Sequence, residues 1–158
     1  MAPRPPSPGD SRPPARQPEP PTGGFSRWPW WRRWFGRRSE RAAARFLRRL
    51  GYRLLAANVA DPAGELDLIA LDGQTLVVVE VRSTASDDLE ATAASVDARK
   101  QRKITEAALR FLARRRLLGR IAVRFDVLAL SWPDAAREPV VRHIRHAFEA
   151  VGRFQMFN

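Results

Sequence analysis

Residues 64–83, GELDLIALDGQTLVVVEVRS, hold two runs of aliphatic residues on either side of Asp72-Gly73. An Asp-Gly pair readily adopts the positive φ of a tight hairpin, so ELDLIAL and TLVVVEV are expected as adjacent antiparallel strands. Within them stand Glu65, Asp67, Glu80 and Arg82, although an unpaired charge in a buried strand is strongly unfavourable. Side chains alternate along a strand, so Glu65 and Asp67 are expected to share one face, and Glu80 and Arg82 one face of the next strand. If the turn brings those faces together, two or three carboxylates converge with Arg82 at their edge. Spacing alone leaves two readings open. Either the repelling carboxylates take a proton or a hard cation between them, Mg²⁺ or Mn²⁺ being suited to oxygen donors, or Arg82 bridges Glu80 and the others are solvated at a sheet edge.

Upstream, SERAAARFLRRLG repeats Ala43, Phe46, Leu47 and Leu50 at helical spacing, with Ser39 as an N-cap and Gly51 as a stop. YRLLAAN then makes a short strand, closed by the turn-prone Asp61-Pro62-Ala63-Gly64. Downstream, residues 84–93 read as a loop. A second helix is expected at about residues 95–117, turning Ile104, Ala108, Phe111 and Leu112 inward and a basic face outward. IAVRFDVLAL and the shorter PVVRHIRHAF complete the strands. The order is α-β-β-β-α-β(-β), an α/β sandwich around a central mixed sheet, in which the helical crossover permits one parallel pairing.

The ends of the chain differ from this middle. Ten of the thirteen prolines lie in the first 30 residues, and residues 1–24 hold too few large apolar side chains to offset the entropy of ordering. A disordered tail is expected there. Residues 25–38 form a basic lead-in with Trp28, Trp30, Trp31 and Trp34 interleaved with arginines such as Arg32 and Arg33. Three roles stand level: stacking on unpaired bases with phosphate pairing, seating in a membrane headgroup layer, and packing against the domain of residues 39–158. The formal net charge of +11 points to an anionic partner, nucleic acid before membrane. The absence of cysteine excludes disulfides, thiolate metal sites and cysteine nucleophiles, and a reducing cytoplasm fits. His143 and His146 lack ligand-spaced partners and are expected to be structural. Asp126 is expected to pair with Arg124 or lie at the sheet edge, and Trp132 to pack in a loop.

The series SERAAARFLRRLGYRLLAANV, GELDLIALDGQTLVVVEVRS, VDARKQRKI, RFDVL and VRHIRHAF resembles the YraN-type family of uncharacterised bacterial proteins over residues 39–149. That family is assigned to the restriction-endonuclease-like, PD-(D/E)xK superfamily, whose core has the same element order. The resemblance implies that Asp67 is the metal-binding aspartate and Glu80 the acidic residue of the ExK signature. It further implies that Glu40 is a helix-one glutamate of the site and that Glu65 belongs to the family's GE(I/L)D motif. Where the family usually reads VEVK, this chain has Arg82. Arginine stays protonated, so Arg82 would steady an oxyanion but not act as a base. Lys100 on the second helix is the substitute the resemblance offers, with a phosphate contact as its simpler role; Lys103 lies one turn on.

The expected function is Mg²⁺- or Mn²⁺-dependent hydrolysis of phosphodiester bonds, in DNA before RNA, selective for structure rather than sequence. Asp67, Glu80, Glu65 and Glu40 would supply metal oxygens. Arg99, Arg102, Lys103, Arg32 and Arg33 would hold the nucleic acid backbone. The rival expectation is a noncatalytic nucleic-acid-binding protein of the same fold. Peripheral membrane contact through the tryptophans is compatible with either.

Overall fold

The computed structural model describes residues 29–133 and 136–151, with side chains from residue 36 onward. The proline-rich tail and the side chains of the lead-in up to residue 35, Arg32 and Arg33 among them, lie outside the described residues.

Helix α1 runs Pro29–Arg49, so the helix expected to begin at Ser39 starts ten residues earlier and crosses the expected boundary at residue 38. Between Pro29 and Arg38, Gly36 disfavours a helix by about 1 kcal/mol without ending it, proline is tolerated in a first turn, and tryptophan, phenylalanine and arginine all propagate one. Ser39 is therefore not a cap. It is buried within the helix, and its hydroxyl accepts a hydrogen bond from the Trp132 indole at 3.0 Å. Trp132 thus does pack, beneath the Arg38 guanidinium 3.6 Å from its ring. Gly51 ends the helix at φ 89°, and the Tyr52 N–H returns to the Leu47 carbonyl.

Five strands follow in one mixed sheet: β1 Arg53–Asp61, β2 Gly64–Asp72, β3 Thr75–Thr84, β4 Ala122–Ser131 and β5 Val140–Phe148, in spatial order of sequence. All neighbours are antiparallel except β3 and β4, which are parallel. The hairpin around Asp72-Gly73 forms as expected, with Asp72 opposite Thr75 and Gly73 at φ 60°. Between β3 and β4 the expected loop and long helix are instead two helices, α2 Leu89–Ala94 and α3 Ala98–Arg114. The carboxylates of Asp88 and Asp97 accept the backbone N–H groups of Ala91 and Lys100, each at 2.8 Å. Each aspartate starts its own helix.

Each face of the sheet is covered. Ala42, Ala43 and Leu47 of α1 pack on Leu68, Ala70, Val77, Val79, Leu128 and Leu130. Ile104, Ala108, Phe111 and Leu112 of α3 pack, as their spacing predicts, on Ile69, Leu76, Val78, Phe125 and Val127. Leu50, expected in the core, is 53% exposed because it falls beyond the last turn of α1. Thus β3 is buried on both sides, which explains its unbroken valines.

Candidate active site

Asp67 occupies the point where β2 parts from β3. Paired positions run from Asp72 opposite Thr75 to Leu68 opposite Val79 and then stop. Beyond them the Asp67 carboxylate takes the place of a strand partner, with Oδ2 accepting the Val81 N–H at 2.8 Å. The alternation of β2 reverses here: Leu68 packs under α1, whereas Leu66, two residues away, packs under α3. Pairing of β2 with β1 skips Asp67, and Asn58 in the corresponding stretch of β1 has φ 52°. Both irregularities fall at one place, so the register survives while the faces exchange.

That reversal separates residues expected on one face. Glu65 is exposed and lines an open cleft of about 630 Å³ between α1 and the β1–β2 ribbon, together with Glu40, Arg37, Arg41, Asn58 and Leu68. Asp67 instead lies beside Glu80, which projects from β3 on the α3 side, near enough that each carboxylate acts on the other. Glu80 is only 4% exposed. Lys100 Nζ, reaching across from the first turn of α3, lies 3.1 Å from Glu80 Oε1. Arg82 Nε stands 3.8 Å from the same oxygen, while its guanidinium donates to the Ser95 carbonyl at 3.3 Å. Buried Arg82 Nε has no hydrogen-bond partner among the described residues. Arg99, Arg102 and Lys103 are exposed on α3 beside this group.

The electrostatics follow from this geometry. Burial, then the adjacent Glu80 charge, lifts the Asp67 carboxyl from the ordinary 3.8 to about 7, although the Val81 N–H and Lys100 oppose the rise and Glu40 adds to it. Burial likewise raises Glu80 against the pull of Lys100 and Arg82. Two neighbouring carboxylates therefore hold less positive charge than they need at neutral pH. Hard oxygen donors of this kind fit Mg²⁺ or Mn²⁺. Among the described residues no three acidic or histidine side chains converge on one point, so Glu40 and Glu65 do not complete a cage. One or two carboxylates, with water and substrate phosphates filling the other positions, is the usual manner of holding magnesium.

A second polar cluster lies on the α1 face. Arg124 donates to Asp126 Oδ1 at 2.8 Å and Oδ2 at 3.1 Å, to the Tyr52 hydroxyl at 2.7 Å and to Asp72 at 2.9 Å. His143 Nε2 lies 2.9 Å from Asp126 Oδ2, and the His146 N–H donates to Oδ1. The expected Arg124–Asp126 pair thus forms, buried at the centre of a network, and both histidines serve it. The sequence gives no signal for Arg37, Arg41 and Asn58: Arg37 falls before the expected helix, Arg41 reads as one charge among many on its polar face, and Asn58 reads as an ordinary strand residue.

The model of uncharacterised protein family UPF0102 matches residues 39–130, more than half of the chain. The chain belongs to family UPF0102. A UPF0102 protein of Rhodopirellula baltica is 48% identical over 120 residues, 74% of this chain and 71% of its own. UPF0102 proteins of Xanthomonas oryzae pv. oryzae and Geobacter sulfurreducens are 46% and 41% identical over 112 and 116 residues, covering 70% and 72% of this chain and 88% of each relative. The YraN-type resemblance is thereby borne out. The matched UPF0102 region carries Glu40, Glu65, Asp67, Glu80, Arg82 and Lys100 alike. No helix among the described residues is long and apolar enough to cross a membrane.

Proposed function

We propose that this chain is a divalent-cation-dependent nuclease with a restriction-endonuclease-like core, hydrolysing phosphodiester bonds in DNA, or RNA, by structure rather than sequence. The observation that carries the reading is the meeting of Asp67 and Glu80 where β2 leaves β3, with Lys100 at 3.1 Å from Glu80. The order of α1, three antiparallel strands, a helical crossover and a parallel fourth strand supports the fold assignment.

Asp67 and Glu80 would hold the cation, which when bound lowers the pKa of water and offsets charge on the phosphoryl group. The carboxylates fix that position because one is anchored to the Val81 N–H and the other is clamped by Lys100. As the water oxygen bonds to phosphorus, the bond to the leaving sugar oxygen breaks, and most of the protein's work is positioning and charge. Lys100 donates to a nonbridging oxygen or orients the water. Arg82 braces Glu80 against the α2–α3 junction through Ser95. Arg99, Arg102 and Lys103, with Arg32 and Arg33 of the lead-in, contact phosphates without reading bases.

Mg²⁺-dependent cleavage of labelled single-stranded, flapped, branched and duplex DNA, with RNA counterparts, tests the reading. Cutting by the wild type and none by Asp67→Ala is expected. No cleavage of any substrate with Mg²⁺ or Mn²⁺, or equal cleavage by Asp67→Ala, would leave only the noncatalytic binding protein.

A further inference from the structure

We propose that the cleft between α1 and the β1–β2 ribbon seats an unpaired polynucleotide strand, Arg37 and Arg41 contacting its phosphates and Asn58 facing a base edge. The proposal rests on the reading of Asp67 and Glu80 as a phosphodiester site. Glu40 joins the two places, since it lines the cleft and its charge acts on Asp67.

Size comes first. A volume of about 630 Å³ lies within the roughly 300–1,000 Å³ of pockets that enclose small ligands. A base on its sugar-phosphate enters such a space only after leaving the double helix, a step that is cheapest for a strand already unpaired. Charge comes second. Arg37, Arg41 and Glu40 line the cleft from α1 and Glu65 lines it from β2, so the lining carries both signs and does not favour a bare polyphosphate. It matches a ligand that has both anionic phosphate and amino-bearing bases, because carboxylates and amides bond the exocyclic amines of bases. Spacing comes third: residues four apart on a helix share a face about 6 Å apart along the axis, so both guanidinium groups reach one strand. Ala44, Ala57 and Leu68 give the cleft an apolar floor against which a base face lies. Asn58 presents its amide from a residue at φ 52°, a conformation asparagine tolerates better than most.

Fluorescence anisotropy in EDTA, where no cation-dependent cutting occurs, tests this with labelled oligodeoxythymidylate, oligodeoxyadenylate and a blunt duplex of equal length. Arg37→Ala/Arg41→Ala is expected to lose about tenfold in single-strand affinity and markedly less on duplex. Its dependence of log K on log salt should flatten by about 1.4, the value for two contacts to a single strand. Asn58→Gly, which keeps the positive φ, should weaken oligodeoxyadenylate binding about fivefold. Both arginines are exposed, and unchanged thermal melts will show that the variants fold. Wild-type affinity and salt dependence in the double variant, or equal losses on both forms of DNA, would overturn the proposal, as would an Asn58→Gly variant indistinguishable on oligodeoxyadenylate. Cleavage by the wild type with unaltered double-variant binding sinks the cleft and spares the nuclease. Arginine-dependent strand binding without any cleavage does the reverse.

Discussion

Lys100 Nζ lies 3.1 Å from Glu80 Oε1, closer than Arg82 Nε at 3.8 Å on Glu80's own strand. Sequence proximity makes Arg82 the obvious partner, but its guanidinium is drawn to the Ser95 carbonyl. Asp97 starts α3 so that Lys100 sits in its first turn and reaches Glu80 on the face that α3 covers.

Lys100→Ala is therefore expected to lose about 10²-fold or more in cleavage rate, the usual loss for one group stabilising transition-state charge. Arg82→Lys should keep most of the activity. Single-turnover rates on the best substrate of the panel check this, and a Lys100→Ala enzyme as fast as wild type would contradict it.

The raised Asp67 carboxyl makes a prediction about stability. In the folded chain it titrates near 7, well above its ordinary 3.8, so the folded state binds the extra proton between those values and loses stability as pH rises through that window. Asp67→Asn keeps an oxygen for the Val81 N–H and removes the charge. It should be more stable than wild type by about 2 kcal/mol at pH 8, a figure well below what the full rise implies because water reaches this partly buried group. The difference should vanish near pH 4. Urea denaturation at the two pH values measures it.

Cation binding must displace that same proton. Affinity for Mn²⁺ should rise up to about tenfold per pH unit below 7 and level off above it. Calorimetry at pH 6, 7 and 8 tests the slope, and both Asp67→Asn and Glu80→Gln should abolish the heat. Undiminished binding by both variants would place the cation elsewhere.

Asp126 behaves in the opposite sense. Burial pushes its carboxyl up, but hydrogen bonds from His143, Arg124 and the His146 N–H outweigh it, and the net pKa lies below the ordinary value. Its stabilising contribution is present above 3.8 and fades as pH falls through the depressed value. Asp126→Ala would leave buried Arg124 without its bidentate partner and should cost about 3–5 kcal/mol. Thermal or urea unfolding at pH 7 gives the number. A loss under about 1 kcal/mol would mean that Asp72 and Tyr52 suffice for Arg124.

The sequence by itself determined the order of the elements, the Asp72-Gly73 hairpin and the inward face of α3, and its family resemblance singled out Asp67 and Glu80. The first three rest on local patterns, a two-residue turn and the periods of strand and helix, which act over a few residues. Tertiary structure decided which carboxylates meet. The reversal of β2 at Asp67 takes shape against β1, with Asn58 at positive φ, and no period within β2 alone reveals it; it sends Glu65 to the cleft and Asp67 to Glu80. The choice of Lys100 over Arg82 was likewise settled by packing α3 on the sheet, which brings together groups twenty residues apart in the chain.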